Sequence, residues 1–142
     1  MKRILKIIPL LIVIAGIVLL TFQDAQGTIS LSEGFRDWAI GICERYDLDT
    51  VRGWIDSSIA IRRVGHIIEY FALGVAAAIS IRKKIFALLL CLCISIGDQV
   101  IKMYVPGRHF DLFDLPFDAA GYVAGILLVT VICLIGGKRE AK

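Results

Sequence analysis

Long apolar stretches alternate with short charged intervals along this chain. Four stretches are nearly free of charged residues: 7–23, 64–81, 85–101 and 119–137. A helix that crosses a membrane needs roughly 20 mostly apolar residues, and each stretch comes close to that length. The pattern therefore predicts an all-α protein, a four-helix transmembrane bundle. The two middle helices form an antiparallel hairpin, because only Arg82, Lys83 and Lys84 separate them.

The same pattern divides the chain into four segments. We assign a transmembrane anchor helix to 1–23, an external amphipathic loop to 24–63, a core of three transmembrane helices to 64–137 and a cytoplasmic tail to 138–142. The first segment starts like a signal peptide, with basic residues before an apolar run. The small-residue cleavage site near Ala25 is a weak signal, so we expect an uncleaved anchor.

The external loop shows two short amphipathic patterns. In the first, Ser30 and Glu33 have the spacing of a capping box, and apolar residues recur at helical spacing over 35–46. The second begins near residue 50 and includes Trp54. An apolar stripe with tryptophan predicts a helix at the outer membrane interface or a lid over the bundle, and the pattern leaves both open.

The composition agrees with a membrane protein. The 142 residues are 58% hydrophobic and 20% charged, which is more apolar than a single soluble domain of this size can bury. The same numbers exclude an intrinsically disordered chain. The formal net charge of +3 does not indicate nucleic-acid binding, since no basic stripe is interleaved with aromatic residues.

Basic residues are distributed unequally between the two sides of the predicted membrane. Both chain ends and the hairpin at 82–84 carry them with a single acid, Glu140, whereas the other acids lie in or beside the two opposite loops. The positive-inside rule therefore predicts a multi-pass protein of the cell membrane with both termini in the cytoplasm.

Ionisable residues inside a membrane are costly, and they usually mark function or pairing. Here they occur at the outer ends of the last three predicted helices and in the loop before the final one. Three segments thus bring polar side chains to one depth, and we expect a polar pocket that opens outward. The candidate catalytic residues are His66, Asp98, Asp114 and Asp118. The candidate substrate-binding residues are Arg63, Glu69, Tyr70, Lys102, Arg108 and Asp111.

These residue types allow several kinds of chemistry. A histidine with carboxylates is a general acid–base set, and the cations Arg63, Lys102 and Arg108 suit a phosphate. The same histidine and acids are of types that bind divalent cations, but we assign no metal site and no cofactor. Ser95, about one turn below Asp98 in the predicted helix, is a weak candidate nucleophile.

A purely structural polar network is the alternative, so whether the protein is an enzyme stays open. Acids near a helix end can sit among lipid headgroups, and Asp114 at the start of the last helix suits the helix dipole. Arg108 can clamp the loop through Asp111 or Asp114, and His66 can simply form a hydrogen bond across the bundle.

Two separated motifs make the chain resemble the VanZ-like membrane proteins. Arg63, His66 and Tyr70 fit that family's basic–x–x–His–x–x–x–Tyr signature. Its second signature has acids at the end of the third helix, a Pro-Gly-Arg loop and further spaced acids. The matching residues here are Gly97, Asp98, Pro106, Gly107, Arg108, Asp111, Asp114, Asp118 and Gly121. The resemblance covers roughly residues 60–130 and implies a similar number of spanning helices.

The resemblance also implies a role at the cell envelope, since the family's namesake is associated with low-level resistance to lipoglycopeptide antibiotics such as teicoplanin. Two positions depart from the family pattern, because many relatives have Glu at Gln99 and Gln or His at Lys102. If the family's acid carries a proton, that role falls to Asp98 here. Lys102 would instead offer a charge to an anionic headgroup.

We therefore expect a protein that binds or acts on an amphiphile of the envelope, such as a lipid-linked cell-wall intermediate or an anionic lipid. Its partners would be membrane lipids rather than nucleic acid, and the sequence indicates no oligomeric state. Two alternatives stay open. One is a non-enzymatic envelope factor that blocks antibiotic access or supports a partner. The other is a proton-coupled transporter, which four short helices form only as an oligomer.

Overall fold

The structure, a computed structural model, describes residues 2–22, 25–47, 52, 58–108 and 110–139. Within these ranges the chain forms five α-helices and no strand. The helices are α1 (Lys2–Thr21), α2 (Ala25–Arg45), α3 (Ser58–Ser80), α4 (Lys84–Lys102) and α5 (Asp114–Arg139). The prediction of an all-α protein is confirmed over this part of the chain.

Three helices in the described ranges are long and apolar enough to cross a membrane, over Arg62–Ser80, Lys84–Lys102 and Asp114–Gly136. They correspond to the last three predicted spans. α3 and α5 begin earlier than predicted, because Arg62 and Arg63 near the start of α3 and Asp114 in the first turn of α5 are charged residues that hydropathy assigns to loops. An acid such as Asp114 is stable there, since it faces the positive end of the helix dipole. The apolar stretch of α1, Leu5–Thr21, is shorter, so the bundle of four spanning helices stays a prediction.

The segment predicted as an external loop begins as one continuous helix, α2. The predicted capping box is wrong, because Ser30 and Glu33 lie inside α2, where the Ser30 hydroxyl donates to the carbonyl of Gly27 at 3.3 Å. Most of the apolar stripe is exposed, although Cys43 is buried, and the rings of Phe35 and Trp38 have centroids 5.5 Å apart. The second amphipathic pattern falls largely outside the described residues, and its last part is the start of α3.

Glycines bring α3 and α5, which run in the same direction, into close contact. A Cβ atom at Gly74 of α3 would lie 2.7 Å from Tyr122 Cα of α5, and one at Gly121 would lie 2.5 Å from Ile67 O. A Cβ at Gly125 would meet the α3 backbone in the same way. Small residues at such spacing let membrane helices approach each other closely, and these three glycines lie in the contact between α3 and α5.

α4 runs antiparallel to α3 and α5, and α1 packs against α3 and α4. The Ser80 hydroxyl at the end of α3 donates to the carbonyl of Lys6 at 2.5 Å, while Thr21 at the other end of α1 contacts Asp98 of α4. Apolar side chains fill the middle of this arrangement, among them Leu10, Ile17, Leu73, Ala77, Cys91 and Ile126. Consequently α1 and α4 end where α3 and α5 begin.

We expect Gly121→Ala to destabilise the protein by about 1–3 kcal/mol, because the backbone of α3 occupies the place of the new Cβ. Unfolding of the purified protein in detergent micelles, followed by circular dichroism, measures this change. Gly16→Ala is the matched control, since no atom lies within 4 Å of its Cβ position, and its stability should stay equal or rise slightly. Equal stability of the two variants would contradict the close approach.

Candidate functional site

Eight of the described polar or charged residues are buried, and they gather at the end of the bundle where α1 and α4 end and α3 and α5 begin. We call them the polar cluster: Thr21, His66, Ser95, Asp98, Gln99, Lys102, Asp114 and Asp118. A buried charge without a partner is costly. The ionisable members of the polar cluster therefore depend on one another.

His66 of α3 lies between two carboxylates of α5. Its Nδ1 is 2.9 Å from Asp118 Oδ1, and its Nε2 is 3.3 Å from Asp114 Oδ2. Only the imidazolium form carries a proton on both ring nitrogens, so the two contacts together suit a charged histidine. The other oxygen of the fully buried Asp118 carboxylate accepts a hydrogen bond of 2.7 Å from the Ser95 hydroxyl of α4.

Lys102 and Asp98 form a second buried ion pair, one turn apart on α4. The Lys102 ammonium is 2.7 Å from Asp98 Oδ2 and 3.8 Å from Asp114 Oδ2. The second carboxylate oxygen of Asp98 accepts a hydrogen bond from the Thr21 hydroxyl of α1. Asp114 thus lies between the cations of α3 and α4, and it joins the two ion pairs into one network across three helices.

Arg62 and Asp111 form a more exposed rim above the polar cluster. The Arg62 guanidinium is 3.0 Å from Asp111 Oδ2 and 3.6 Å from Asp114 Oδ1, and its side chain is 49% exposed. The backbone N–H of Asp111 donates to Gln99 Oε1 at 3.3 Å, and its carboxylate accepts from the N–H of Phe113 at 2.9 Å. These bonds attach the loop between α4 and α5 to the bundle.

Arg108 in the same loop reaches α1 rather than an acid of the loop. Its Nη1 donates to the carbonyls of Leu20 and Thr21 at 2.8 and 2.9 Å. The last carbonyls of a helix have no partner within the helix, and a cation is favoured at this negative end of the dipole. Arg108 therefore holds the loop in place, as expected for a structural polar network. Its partners are the carbonyls at the end of α1 and not the predicted Asp111 or Asp114.

The structure brings together five predicted site residues, His66, Asp98, Lys102, Asp114 and Asp118. Tyr70 adjoins them, since its fully buried ring stacks on that of His66 with centroids 6.3 Å apart. Glu69 is half-buried on the neighbouring position of α3, and Asp111 lies at the rim. Arg63 lies apart from these acids, with its guanidinium 5.1 Å from the centroid of the Phe117 ring.

Two residues outside the predicted set contribute to the site. Arg62, rather than Arg63, binds the acids of the rim. Its spacing of four residues from His66 was an available signal, because residues four apart share a helix face. Thr21 gave no such signal: it is the end of an apolar stretch, and its contact with Asp98 depends on how α1 packs.

The carboxylates of the polar cluster face cations of the protein itself. Among the described residues, no group of three or more His, Cys, Asp or Glu side chains is placed to hold a metal ion. A histidine held by Asp114 near the rim and by the deeper Asp118 is in position to exchange a proton with either.

Four buried donors of the site form no hydrogen bond of good geometry within the described part of the chain: His66 Nδ1, the Tyr70 hydroxyl, Gln99 Nε2 and Lys102 Nζ. His66 and Lys102 are nevertheless ion-paired with carboxylates, and the Tyr70 hydroxyl interacts with Ser95. The fully buried side-chain nitrogen of Gln99 is the donor for which the described residues supply no partner. Leaving a buried donor unpaired costs about 1–3 kcal/mol, so an additional oxygen atom would be bound most favourably beside Gln99.

Comparison with known proteins gives a family match. The model of the VanZ/LLP1 family matches residues 7–134, which is most of the chain. No curated protein and no solved structure matches it.

Lys102→Met leaves Asp98 buried without its cation, and we expect the free energy of unfolding to fall by about 3 kcal/mol. Adding Asp98→Asn removes the unpaired charge, so the double variant should regain part of that loss. Chemical unfolding in detergent micelles measures both changes.

Asp37→Ala is the control for this prediction. It breaks the exposed ion pair of 3.3 Å with Arg36 and should change the stability by less than about 1 kcal/mol. A loss in Lys102→Met no larger than in this control would mean that the buried pair does not stabilise the protein.

Proposed function

Since the chain belongs to the VanZ/LLP1 family, we propose that it works at the cell envelope as a multi-pass membrane protein whose polar cluster opens outward. In this proposal it binds or acts on an amphiphile, a lipid-linked cell-wall intermediate or another anionic lipid. Three of the described helices are long and apolar enough to cross a membrane, which supports this setting. The link to teicoplanin resistance rests on the family resemblance.

One observation carries the proposal: buried ionic side chains from separate helices converge at one end of an otherwise apolar bundle. His66 of α3, Lys102 of α4 and Asp114 of α5 are in direct contact with opposite charges of other members. Charges in membrane helices are costly, and they are usually retained for a function. An amphiphile that lies in the membrane surface presents its polar head at this depth.

The roles of the residues follow from their contacts. His66 moves a proton between Asp114 and Asp118, with Asp98 as a second carboxylate beside Lys102. These four remain the catalytic candidates His66, Asp98, Asp114 and Asp118, should the protein be an enzyme. The reaction catalysed would then use general acid–base catalysis on the bound headgroup.

Arg62 is the best-placed cation for an anionic group that arrives from outside. It is half-exposed at the rim and reaches Asp114, while Lys102 lies buried behind it. We therefore assign first contact with a phosphate to Arg62 in place of Arg63 and Arg108, which are occupied by Phe117 and by the end of α1. The unpaired side-chain nitrogen of Gln99 would bind an oxygen of the same ligand.

The orientation in this proposal rests on charge. The start of α1 and the hairpin between α3 and α4 lie at one end of the bundle, as the bond from Ser80 to Lys6 requires, and these segments are rich in lysine and arginine. The positive-inside rule assigns that end to the cytoplasm. The polar cluster, at the opposite end, would then face the outside.

The two alternatives are supported by fewer observations. A non-enzymatic envelope factor would use the exposed stripe of α2, where Trp38 is 61% exposed. A proton-coupled transporter would need a polar path to the other side, but the sequence has no charged residue at 71–81, 85–97 or 119–137. That path would have to come from additional copies of the chain.

We expect a cysteine-free variant carrying Glu33→Cys to react with a membrane-impermeant maleimide on intact cells, because α2 follows the outer end of α1 in the proposed orientation. Lys83→Cys, in the hairpin at the opposite end, should react only after the cells are permeabilised. Gel-shift labelling measures both reactions. The reverse pattern would contradict the proposed orientation.

Expression of the chain in a teicoplanin-sensitive bacterium should raise the minimal inhibitory concentration of teicoplanin. His66→Ala and Asp118→Asn should bring it back to the value of the empty vector, because they remove the proton-carrying contact between α3 and α5. Asp37→Asn, an equal change of acid to amide at an exposed position, should retain the protection. Membrane levels of each variant are compared by immunoblotting.

The variants also separate the alternatives. Protection that survives His66→Ala and Asp118→Asn but is lost in Trp38→Ala would contradict the proposed site and favour an envelope factor. No protection by the unaltered chain would exclude the proposed link to resistance.

A further inference from the structure

The end of α1 is joined to the polar cluster by a side chain of its own. Thr21 is 3% exposed, and its hydroxyl donates to Asp98 Oδ1 of α4. The same hydroxyl is 2.7 Å from the carbonyl oxygen of Ile17, the usual partner of a threonine within a helix. Its single proton serves one acceptor at a time, and a charged carboxylate is the stronger acceptor.

A second, independent contact holds the same end of α1. Arg108 donates to the carbonyls of Leu20 and Thr21, at 2.8 and 2.9 Å. Gly107, just before it, has a φ of 76°, a conformation that glycine adopts without strain and other residues rarely adopt. The loop between α4 and α5 therefore turns so that its arginine caps α1, while Thr21 binds α4 from the side.

We propose that the end of α1 is a working part of the site and that Thr21 is a positioning residue for Asp98. This inference rests on the proposed function, which makes the polar cluster the functional site. Asp98 has Thr21 on one carboxylate oxygen and Lys102 on the other. Thr21 thereby fixes the plane of the carboxylate and, through it, the position of the Lys102 ammonium, 3.8 Å from Asp114.

The residue type argues for this role. A helix that served only as an apolar anchor would be equally well packed with valine at position 21, which has nearly the volume of threonine but no hydroxyl. Valine would leave Asp98 Oδ1 buried without this donor, and an unsatisfied buried acceptor is costly. The hydroxyl is therefore the property of residue 21 that the site uses.

A double-mutant cycle between Thr21 and Asp98 tests the link without any assay of function. We expect Thr21→Val to lower the melting temperature of the protein in lipid nanodiscs by several degrees, and Thr21→Ser to leave it close to that of the unaltered chain. In the Asp98→Asn background, Thr21→Val should cost much less, because the charged acceptor is gone.

Thr130→Val is the matched control. The Thr130 hydroxyl donates to the carbonyl of Ile126, four residues earlier in α5, at 2.7 Å, and none of the described carboxylates forms a hydrogen bond with it. This substitution should shift the melting temperature little, and by the same amount with and without Asp98→Asn. A Thr21→Val shift equal to the Thr130→Val shift, with no coupling to Asp98, would overturn the proposal.

Protection against teicoplanin supplies the second readout. We expect it to be lost in Thr21→Val and retained in Thr21→Ser and Thr130→Val, at equal membrane levels. Full protection in Thr21→Val would overturn the positioning role even if the stability coupling is present. If the unaltered chain gives no protection, the proposed function fails by itself, and the cycle alone then decides for or against the link between Thr21 and Asp98.

Discussion

The interaction on which the rest of this structure depends is the ionic contact of Asp114 with the cations around it. Its carboxylate faces His66 of α3 and Lys102 of α4, and Arg62 reaches it from the rim. Each of these charges would destabilise the fold if it were unpaired in a low-dielectric interior. The helices must therefore place their polar ends at one depth, and this requirement sets where α4 ends and α5 begins.

Close packing and charge pairing act together to fix the register of α3 and α5. Gly121 lies one turn below Asp118 on α5 and meets the backbone of α3 at Ile67, next to His66. A shift of either helix by one turn would move His66 away from Asp118 and place side chains where glycines are needed. The contact of 2.9 Å between these two residues thus depends on the absence of a side chain at Gly121.

The positions of the polar residues along their helices can be predicted from the sequence better than the directions in which their side chains point. Hydropathy places a residue along the membrane normal, so the last three spans and the level of His66, Asp98 and Asp114 could be inferred from it. The direction in which a side chain points from its helix axis depends on how the helices pack, and hydropathy carries no information about packing. For that reason the sequence favours Arg63 over Arg62 and does not indicate that the Thr21 hydroxyl reaches Asp98. The start of α2 was misplaced because a capping-box spacing also occurs inside helices.

The polar cluster holds more polar groups than helix packing requires. Gly121 and Gly125 already bring α3 and α5 into contact, and apolar side chains of similar volume stabilise a buried interface at least as well as ion pairs do. The charged members compensate one another, whereas the side-chain nitrogen of Gln99 has no acceptor in the described part of the protein. Buried donors are nearly always paired in folded proteins. The place where the cluster is incomplete is therefore the place where the oxygen of a bound molecule would be held most strongly.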